Sequence, residues 1–167
     1  VTMPHRSHEW RETEAQLRLA FADDSAFAVH GPVPAPFGDE GAANHMRLCA
    51  AHGDEGVEVF VYGTSGGAFP ARQSRTASEA IARRHGLAAE RTIFAEQNPE
   101  AIAAGAFHND VVAVANGRVL FAHEEAFADK NAFYTELRTK FANVEIVEVP
   151  ASAVSLADAI SSYLFNA

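Results

Sequence analysis

The chain has 167 residues, of which 48% are hydrophobic and 21% charged, enough for one domain with a sizeable core. With 13 Lys and Arg against 22 Asp and Glu, its net charge of −9 disfavours a nucleic-acid or anionic-membrane surface, and no apolar run approaches membrane-spanning length. The single cysteine, Cys49, excludes an internal disulfide framework and indicates a reducing, cytoplasmic setting.

The apolar spacing predicts helices and short strands that alternate along the chain. The predicted helices are 11–22, 40–51, 76–84, a segment beginning at Pro99, 128–141 and a segment beginning at Ser155. The predicted strands are 25–31, 57–63, 91–96, two arms of a hairpin, and 144–149. Because helices and strands interleave while a hairpin makes one pairing antiparallel, the class is α/β or α+β.

Capping signals predict the first residues of three of these helices. Thr76 and Glu79 have the spacing of a capping box. Asn98 precedes a proline at the first helical position, which is a favourable helix start. Ser155 and Asp158 give a further cap before the last helix.

The stretch 105–127, GAFHNDVVAVANGRVLFAHEEAF, predicts the hairpin, with its turn at Asn116-Gly117. Asn-Gly between two apolar runs is the strongest short hairpin signal. The first strand opens with three polar residues, His108, Asn109 and Asp110. Alternation along a strand places His108 and Asp110 on the same side. The two side chains fit a structural hydrogen-bonded pair and fit a functional site as well.

Four polar clusters are candidates for that site, because each lies in a loop or at the end of an element, where a scaffold usually presents functional groups. They are His5 with Arg6, then Asp39, Glu40, Asn44 and His45, then Arg72, and finally His108 with Asp110. Each cluster also has a structural explanation. Asp39 or Glu40 could cap the following helix and oppose its dipole. Arg72 could be a solvated loop arginine, and the pair near the N-terminus could be disordered.

Other chemistry is disfavoured by the sequence. Within the predicted helix 40–51, Cys49 shares an apolar face with Ala42, Met46 and Ala50, so its thiol is expected to be a small buried hydrophobe and not a nucleophile. The segment HEEAF lacks the second histidine of a helical zinc motif. The remaining histidines show no ligand spacing, so neither a metal nor another cofactor is expected.

Longer segments carry a resemblance to a known family. Taken in order, GDEGAANHMRL, FVYG, FPARQSRTASEAIARRHGL, IFAEQNPEAIAAGAFHNDVVAVANGRVLFAHEEAF and VEVPASAVSLADAISSYLFN closely resemble the N-succinylarginine dihydrolase family of the guanidine-modifying (amidinotransferase, or pentein) superfamily. The resemblance runs over nearly all 167 residues. It covers only the middle portion of the longer family chain. We therefore expect the sequence, which begins with Val1, to be an excerpt truncated at both ends.

This resemblance implies an α/β fold, namely part of a pentein-type propeller of ββαβ modules around a pseudo-fivefold axis. Residues 1–167 would form a single domain from the middle of a longer catalytic domain. The implied activity is that of a hydrolase of arginine catabolism, which converts N2-succinylarginine to N2-succinylornithine, ammonia and carbon dioxide. The parent protein is expected to be cytoplasmic and homo-oligomeric, as a dimer.

The resemblance also implies roles for individual residues. Glu40 in GDEGA and His108 in FHND match catalytic positions. Substrate-binding positions are matched by Arg72 in PARQ, Asp110 in FHND, and the neighbouring His5 and Arg6. These residue types suit the chemistry, because a carboxylate accepts the paired N–H donors of a guanidinium, histidine shuttles protons, and arginine binds carboxylates with two hydrogen bonds.

One departure from the family pattern changes the expectation for this chain. The family's nucleophile is a cysteine that would lie beyond residue 167, and Cys49 does not occupy its position. Without a thiolate no covalent amidino intermediate forms, so the chain alone is expected to be inactive. One rival interpretation is a non-catalytic α/β binding or interaction module that keeps the fold and part of the pocket. Another is an assembly in which a second chain supplies the cysteine.

Overall fold

A three-stranded sheet occurs twice in the computed structural model, which describes residues 4–34, 37, 42–64 and 67–166, with the backbone alone at 4–7 and 42. The helices of this part are α1 (Pro4–Ala20), α2 (Arg75–Arg84), α3 (Pro99–Ala104), α4 (Lys130–Lys140) and α5 (Leu156–Ser162). The strands are β1 (His45–Leu48), β2 (Val57–Tyr62), β3 (Thr92–Glu96), β4 (Ala113–Asn116), β5 (Val119–His123) and β6 (Glu145–Val149). None of the helices in these residues is long and apolar enough to cross a lipid bilayer.

The two sheets have the same topology. In the first, β1 and β2 are antiparallel, and β2 runs parallel to β3 after the crossover helix α2. In the second, β4 and β5 are antiparallel, and β5 runs parallel to β6 after α4. A further helix, α3 or α5, follows each unit. The described part of the chain thus contains two successive ββαβ units, and the predicted mixture of helices and strands with an antiparallel hairpin is confirmed.

The two units share one hydrophobic core. Strand β1 lies beside β4, and the N–H of Cys49 donates to the carbonyl of Gly117 at 2.9 Å. The segment before α4 covers the open edge of β3, where Gln97 and Phe127 form a β-bridge. Buried side chains from both units meet in this core, among them Leu48, Val57, Val59, Ile93, Val112, Leu120, Phe133 and Leu137. This arrangement sets the loops after β2, β3 and α3 next to one another.

The predicted strands 57–63, 91–96 and 144–149 and the helices that follow them are confirmed with small shifts in their ends. The cap at Asn98 is correct, since its side chain accepts the N–H of Glu100 at 2.9 Å. The capping box at Thr76 is wrong, because Ser74 caps α2 by accepting the N–H of Ala77 at 3.1 Å. An N-cap oxygen reaches the N–H three residues later, which places Thr76 inside the first turn.

The predicted helix 40–51 is wrong within the described residues. Ala42–Asn44 is a short 3-10 turn and the next four residues are β1. Met46 and Leu48 are buried, while the side chains of His45 and Arg47 reach Glu58 on the neighbouring strand. The period-two alternation therefore prevails over an apolar spacing that also fits a helix. The predicted burial of Cys49 is confirmed.

The predicted strand 25–31 is also wrong. Asp23 holds the start of this segment in a turn, because its carboxylate accepts both the N–H and the hydroxyl of Ser25. Further along, the guanidinium of Arg84 donates to the carbonyl of Gly31 at 2.9 Å. The segment therefore lies against the end of α2 and joins neither sheet. The helix predicted at 11–22 begins earlier, at Pro4.

The predicted hairpin is confirmed, but its ends differ. Asn116 is the last residue of β4 and pairs with Val119, so the two-residue loop is Gly117-Arg118, with Gly117 at a φ of +55°. The prediction that His108 and Asp110 lie on the first strand is wrong. They belong to a 3-10 turn, Asn109–Val111, in which His108 is the N-cap. Within this turn the Asn109 side chain is buried, and the backbone N–H of Asn109 donates to the side-chain oxygen of Asn44 at 3.1 Å.

Candidate functional site

The loop that carries Arg72 is closed at both ends by hydrogen bonds. Just after β2, the N–H of Gly63 donates to the carbonyl of Gln73 at 3.0 Å. The buried amide of Gln73 donates to the hydroxyl of Ser78 in α2 at 2.9 Å. Arg72 is therefore held at the carboxyl end of β2, which is where ligands usually bind in α/β sheets.

Phe107 connects two of the predicted site residues. The guanidinium carbon of Arg72 lies 4.9 Å from the centre of the Phe107 ring. The His108 imidazole meets the same ring nearly edge-on, with ring centres 5.1 Å apart, and Phe69 stacks against it at 5.8 Å. A cation over an aromatic face and an edge-to-face ring pair are both attractive, by about 0.5–2 kcal/mol each. Phe107 thus fixes Arg72 and His108 relative to each other.

The backbone of this segment is anchored by Gln97 at the end of β3. The buried side-chain amide of Gln97 donates to the carbonyl of Ala106 at 2.5 Å and, at 3.5 Å, to that of His108. Its own N–H donates to the carbonyl of Tyr62 at the end of β2, at 2.8 Å. Because Gln97 follows β3 directly, bonds to the end of β2 and holds two carbonyls before the 3-10 turn, it ties the segment that carries His108 to the first sheet.

Two buried asparagines join the first unit to the second. The side-chain oxygen of Asn44, just before β1, accepts the backbone N–H of Asn109 at 3.1 Å. The Asn109 amide in turn donates to the carbonyl of Ala113 at 3.4 Å. Both asparagines are at most 2% exposed. This contact positions the turn that presents Asp110.

Asp110 is a half-buried carboxylate at the surface of that turn. Its Oδ2 accepts a hydrogen bond from the side-chain amide of Asn166 at 2.9 Å. Burial raises the pKa of Asp110 above its ordinary value, and the charge of His108 opposes this shift. A carboxylate that is partly desolvated and lies beside a histidine gains stability when a cation binds to it.

A cavity of about 280 Å³ opens beside Asp110, between β1 and β4. Its polar lining includes His45, Arg47 and His52 on the side of the first unit, and Asn109 on the side of the second. Its size is close to the lower limit of small-molecule sites, which are about 300 Å³ and above. The cavity can therefore accommodate a small polar ligand next to the carboxylate.

The structure brings together three of the six sequence-predicted site residues. Arg72 and His108 contact one ring, and Asp110 follows in the next turn. His5 and Arg6 lie in the first turn of α1, but their side chains fall outside the described part of the chain. Glu40 also lies outside it. Among the residues that are described, no group of three His, Cys, Asp or Glu side chains is placed to hold a metal ion.

Sequence reasoning missed three residues that build this site, namely Gln97, Phe107 and Asn166. Phe107 reads as an ordinary hydrophobe of the hairpin, and its position next to His108 is the signal that could have identified it. Gln97 follows a predicted strand directly, where polar side chains often serve a site. Nothing in the sequence links Asn166 to Asp110, which lies 56 residues earlier.

Comparison with known proteins gives one family. Residues 1–167 match the family described as succinylarginine dihydrolase. The N-succinylarginine dihydrolases of Novosphingobium aromaticivorans and Sphingopyxis alaskensis are each 70% identical to the whole chain, over 40% of their own length. That of Paraburkholderia xenovorans is 51% identical over 97% of the chain and 39% of its own length. The chain spans about 40% of the length of these curated relatives, and it belongs to the succinylarginine dihydrolase family.

Proposed function

We propose that the protein to which this chain contributes hydrolyses N2-succinylarginine to N2-succinylornithine, with loss of two ammonia molecules and one carbon dioxide per substrate and uptake of two water molecules. The observation that carries the proposal is the arrangement of Arg72 and His108 on one aromatic ring, with Asp110 in the next turn. The names of the relatives support the same reaction.

Asp110 is the proposed receptor for the guanidinium of the substrate. One carboxylate oxygen is held by Asn166, and the group lies beside a cavity that admits a small ligand. A planar guanidinium offers paired N–H donors that match a carboxylate. Charge-assisted hydrogen bonds of this kind orient the guanidinium carbon for attack.

His108 is the proposed proton shuttle. Its charge acts on the Asp110 carboxylate, so it is the described histidine best placed to move protons as ammonia leaves and water enters. Glu40 is the second proposed catalytic residue, on the ground of the GDEGA motif alone.

Arg72 is proposed to bind a carboxylate of the succinyl group, together with His5 and Arg6 from α1. Its guanidinium carbon lies 4.9 Å from the centre of the Phe107 ring, and a guanidinium recognises a carboxylate through two parallel N–H donors. Arg72 thereby distinguishes a succinylated arginine from the free amino acid, whose α-amino group is cationic.

The proposed architecture is a pentein-type propeller, of which the two ββαβ units are consecutive modules. Their identical topology and the contact of β1 with β4 support a repeating arrangement of this kind. The whole protein is proposed to be a cytoplasmic dimer without a cofactor. Light scattering on the whole protein tests the oligomeric state.

The nucleophile is proposed to be supplied from outside this chain. Cys49, its one cysteine, is 2% exposed and follows directly after β1. We therefore expect the isolated chain to release no ammonia, and Cys49→Ala to leave turnover by the whole protein within about twofold. A stopped reaction in Cys49→Ala would assign the nucleophile to Cys49 instead.

The test is ammonia release from N2-succinylarginine by the whole protein, with N2-succinylornithine identified by mass spectrometry. Free L-arginine is the control substrate. Arg72→Lys should raise KM for succinylarginine by about tenfold, because a point charge replaces a two-point contact, and it should change the weaker reaction with L-arginine much less. Binding of succinylarginine without turnover by the whole protein would favour the non-catalytic binding module.

A further inference from the structure

Asn166 lies at the end of the second unit and touches the proposed substrate-binding carboxylate. Its side-chain nitrogen donates to Oδ2 of Asp110 at 2.9 Å, across 56 residues of sequence. We propose that Asn166 is a positioning residue, which holds Oδ2 of Asp110 so that the remaining oxygen faces the cationic ligand. The identity of that ligand rests on the proposed function, whereas the contact itself does not.

The backbone at Asn166 is anchored by its neighbours. Its neighbour Phe165 is fully buried and packs on the rings of Phe121 and His123, with centres 4.7 Å and 6.2 Å apart. The N–H of Asn166 donates to the carbonyl of Tyr163 at 3.0 Å, which closes a turn after α5. These contacts fix the position of the Asn166 backbone, from which its exposed side chain reaches Asp110.

The residue type suits the proposed task. An amide N–H orients a carboxylate by one hydrogen bond and leaves its negative charge intact. A lysine or arginine in the same place would neutralise Asp110 and compete with a guanidinium ligand. Asn166 thus fixes the carboxylate without lowering its attraction for a cation.

A hydrogen bond to the ionised form also favours ionisation of Asp110. Among the described residues, the charge of His108 in the same turn acts on this carboxylate, and His45, Arg47 and His52 line the same cavity. These groups are unchanged in Asn166 variants. A shift in the titration of Asp110 between wild type and variant therefore reports on the loss of the amide.

The experiment compares wild type with Asn166→Ala and Asn166→Asp in the whole protein. With succinylarginine as substrate, we expect kcat/KM to fall by about tenfold in Asn166→Ala, and further in Asn166→Asp, which keeps the shape but loses the donor and adds a like charge. The acid limb of the kcat/KM profile should shift to higher pH in both. Asn131→Ala, at an exposed position of α4, is the control and should behave as wild type.

If Asn166 only stabilised the fold, its variants would have a lower thermal midpoint but an unchanged acid limb of the kcat/KM profile. This result would overturn the proposal. The pKa of Asp110, followed by carboxyl carbon NMR, tests the contact without any turnover. It should rise in Asn166→Ala, and an unchanged value would again overturn the proposal.

If wild type fails to turn over succinylarginine while the NMR shift is present, the proposed substrate is wrong and the positioning role stands. If Asn166→Ala does not fold, the isosteric Asn166→Asp carries the same comparison.

Discussion

Gly63 and Ala71 approach each other so closely that a Cβ atom on Gly63 would lie 2.8 Å from the Cβ of Ala71. The same atom would lie 2.6 Å from the end of the Ile102 side chain in α3. Glycine at this position lets the loop that carries Arg72 lie directly against β2 and α3. The placement of Arg72 next to Phe107 therefore depends on the absence of a side chain at Gly63.

Gly63→Ala is expected to destabilise the protein by about 1–3 kcal/mol, because the added methyl group would overlap with the Cβ of Ala71 and the end of the Ile102 side chain. It should also raise KM for succinylarginine more than it lowers kcat, since Ala71 is displaced together with Arg72. Urea unfolding and steady-state kinetics measure the two effects. Gly53→Ala is the matched control, because a Cβ there meets nothing within 4 Å and its stability should change by less than about 0.5 kcal/mol.

Removal of the Asn44 side chain should weaken the junction between the two units. Its oxygen accepts the buried N–H of Asn109, so Asn44→Ala leaves that N–H without a partner, at a cost of about 1–3 kcal/mol. The free energy of unfolding from a denaturant titration measures the loss. The exposed Asn131→Ala serves as control, and an equal loss in both variants would contradict the role given to Asn44.

Local signals were sufficient for much of the fold but not for the site. Caps such as Asn98 and the alternation of β2 depend on neighbouring residues, so the sequence predicts them well. The apolar spacing of residues 45–48 fits a helix as well as a strand, and only the pairing with β2 makes these residues a strand. Asn109 was predicted on a strand because its partner Asn44 lies 65 residues away.

The same limit applies to the candidate site. The resemblance supplied Arg72, His108 and Asp110, and the structure brings these residues together. It did not supply Phe107 or Asn166. These residues position others and carry no reactive group, so their role cannot be recognised from the sequence.

Asp110→Asn should stabilise the protein at neutral pH while it abolishes tight binding of the guanidinium. Burial raises the pKa of Asp110, so the folded state takes up a proton more readily than the unfolded state. The resulting stabilisation is complete below the unfolded pKa, about 3.9, and is lost as pH rises through the folded pKa. The charge therefore disfavours folding at neutral pH, and replacing it removes that cost.

Thermal midpoints of wild type and Asp110→Asn, measured from pH 3 to pH 8, test this sign. The variant's advantage should be absent at the acid end, grow above about pH 4 and then level off. Its kcat/KM for succinylarginine should fall by about 100-fold or more, because a charge-assisted contact is lost. Asp158→Asn, at an exposed position in α5, should show no such loss of kcat/KM. A variant that is less stable than wild type throughout this range would show that the Asp110 carboxylate stabilises the fold.

Phe107→Leu should impair turnover through two residues at once. The substitution keeps an apolar side chain but removes the ring that contacts both Arg72 and His108. Each contact contributes about 0.5–2 kcal/mol, so loss of one contact should lower kcat/KM by about three- to thirtyfold, and loss of both by more. Phe94→Leu is the control, since Phe94 stacks on Phe60 in the first sheet. A double-mutant cycle that combines Phe107→Leu with Arg72→Ala separates the effect of Phe107 on Arg72 from its effect on His108. A coupling energy near zero, with kcat/KM still reduced, would place the whole effect of Phe107 on His108 and leave Arg72 to be positioned by its loop alone.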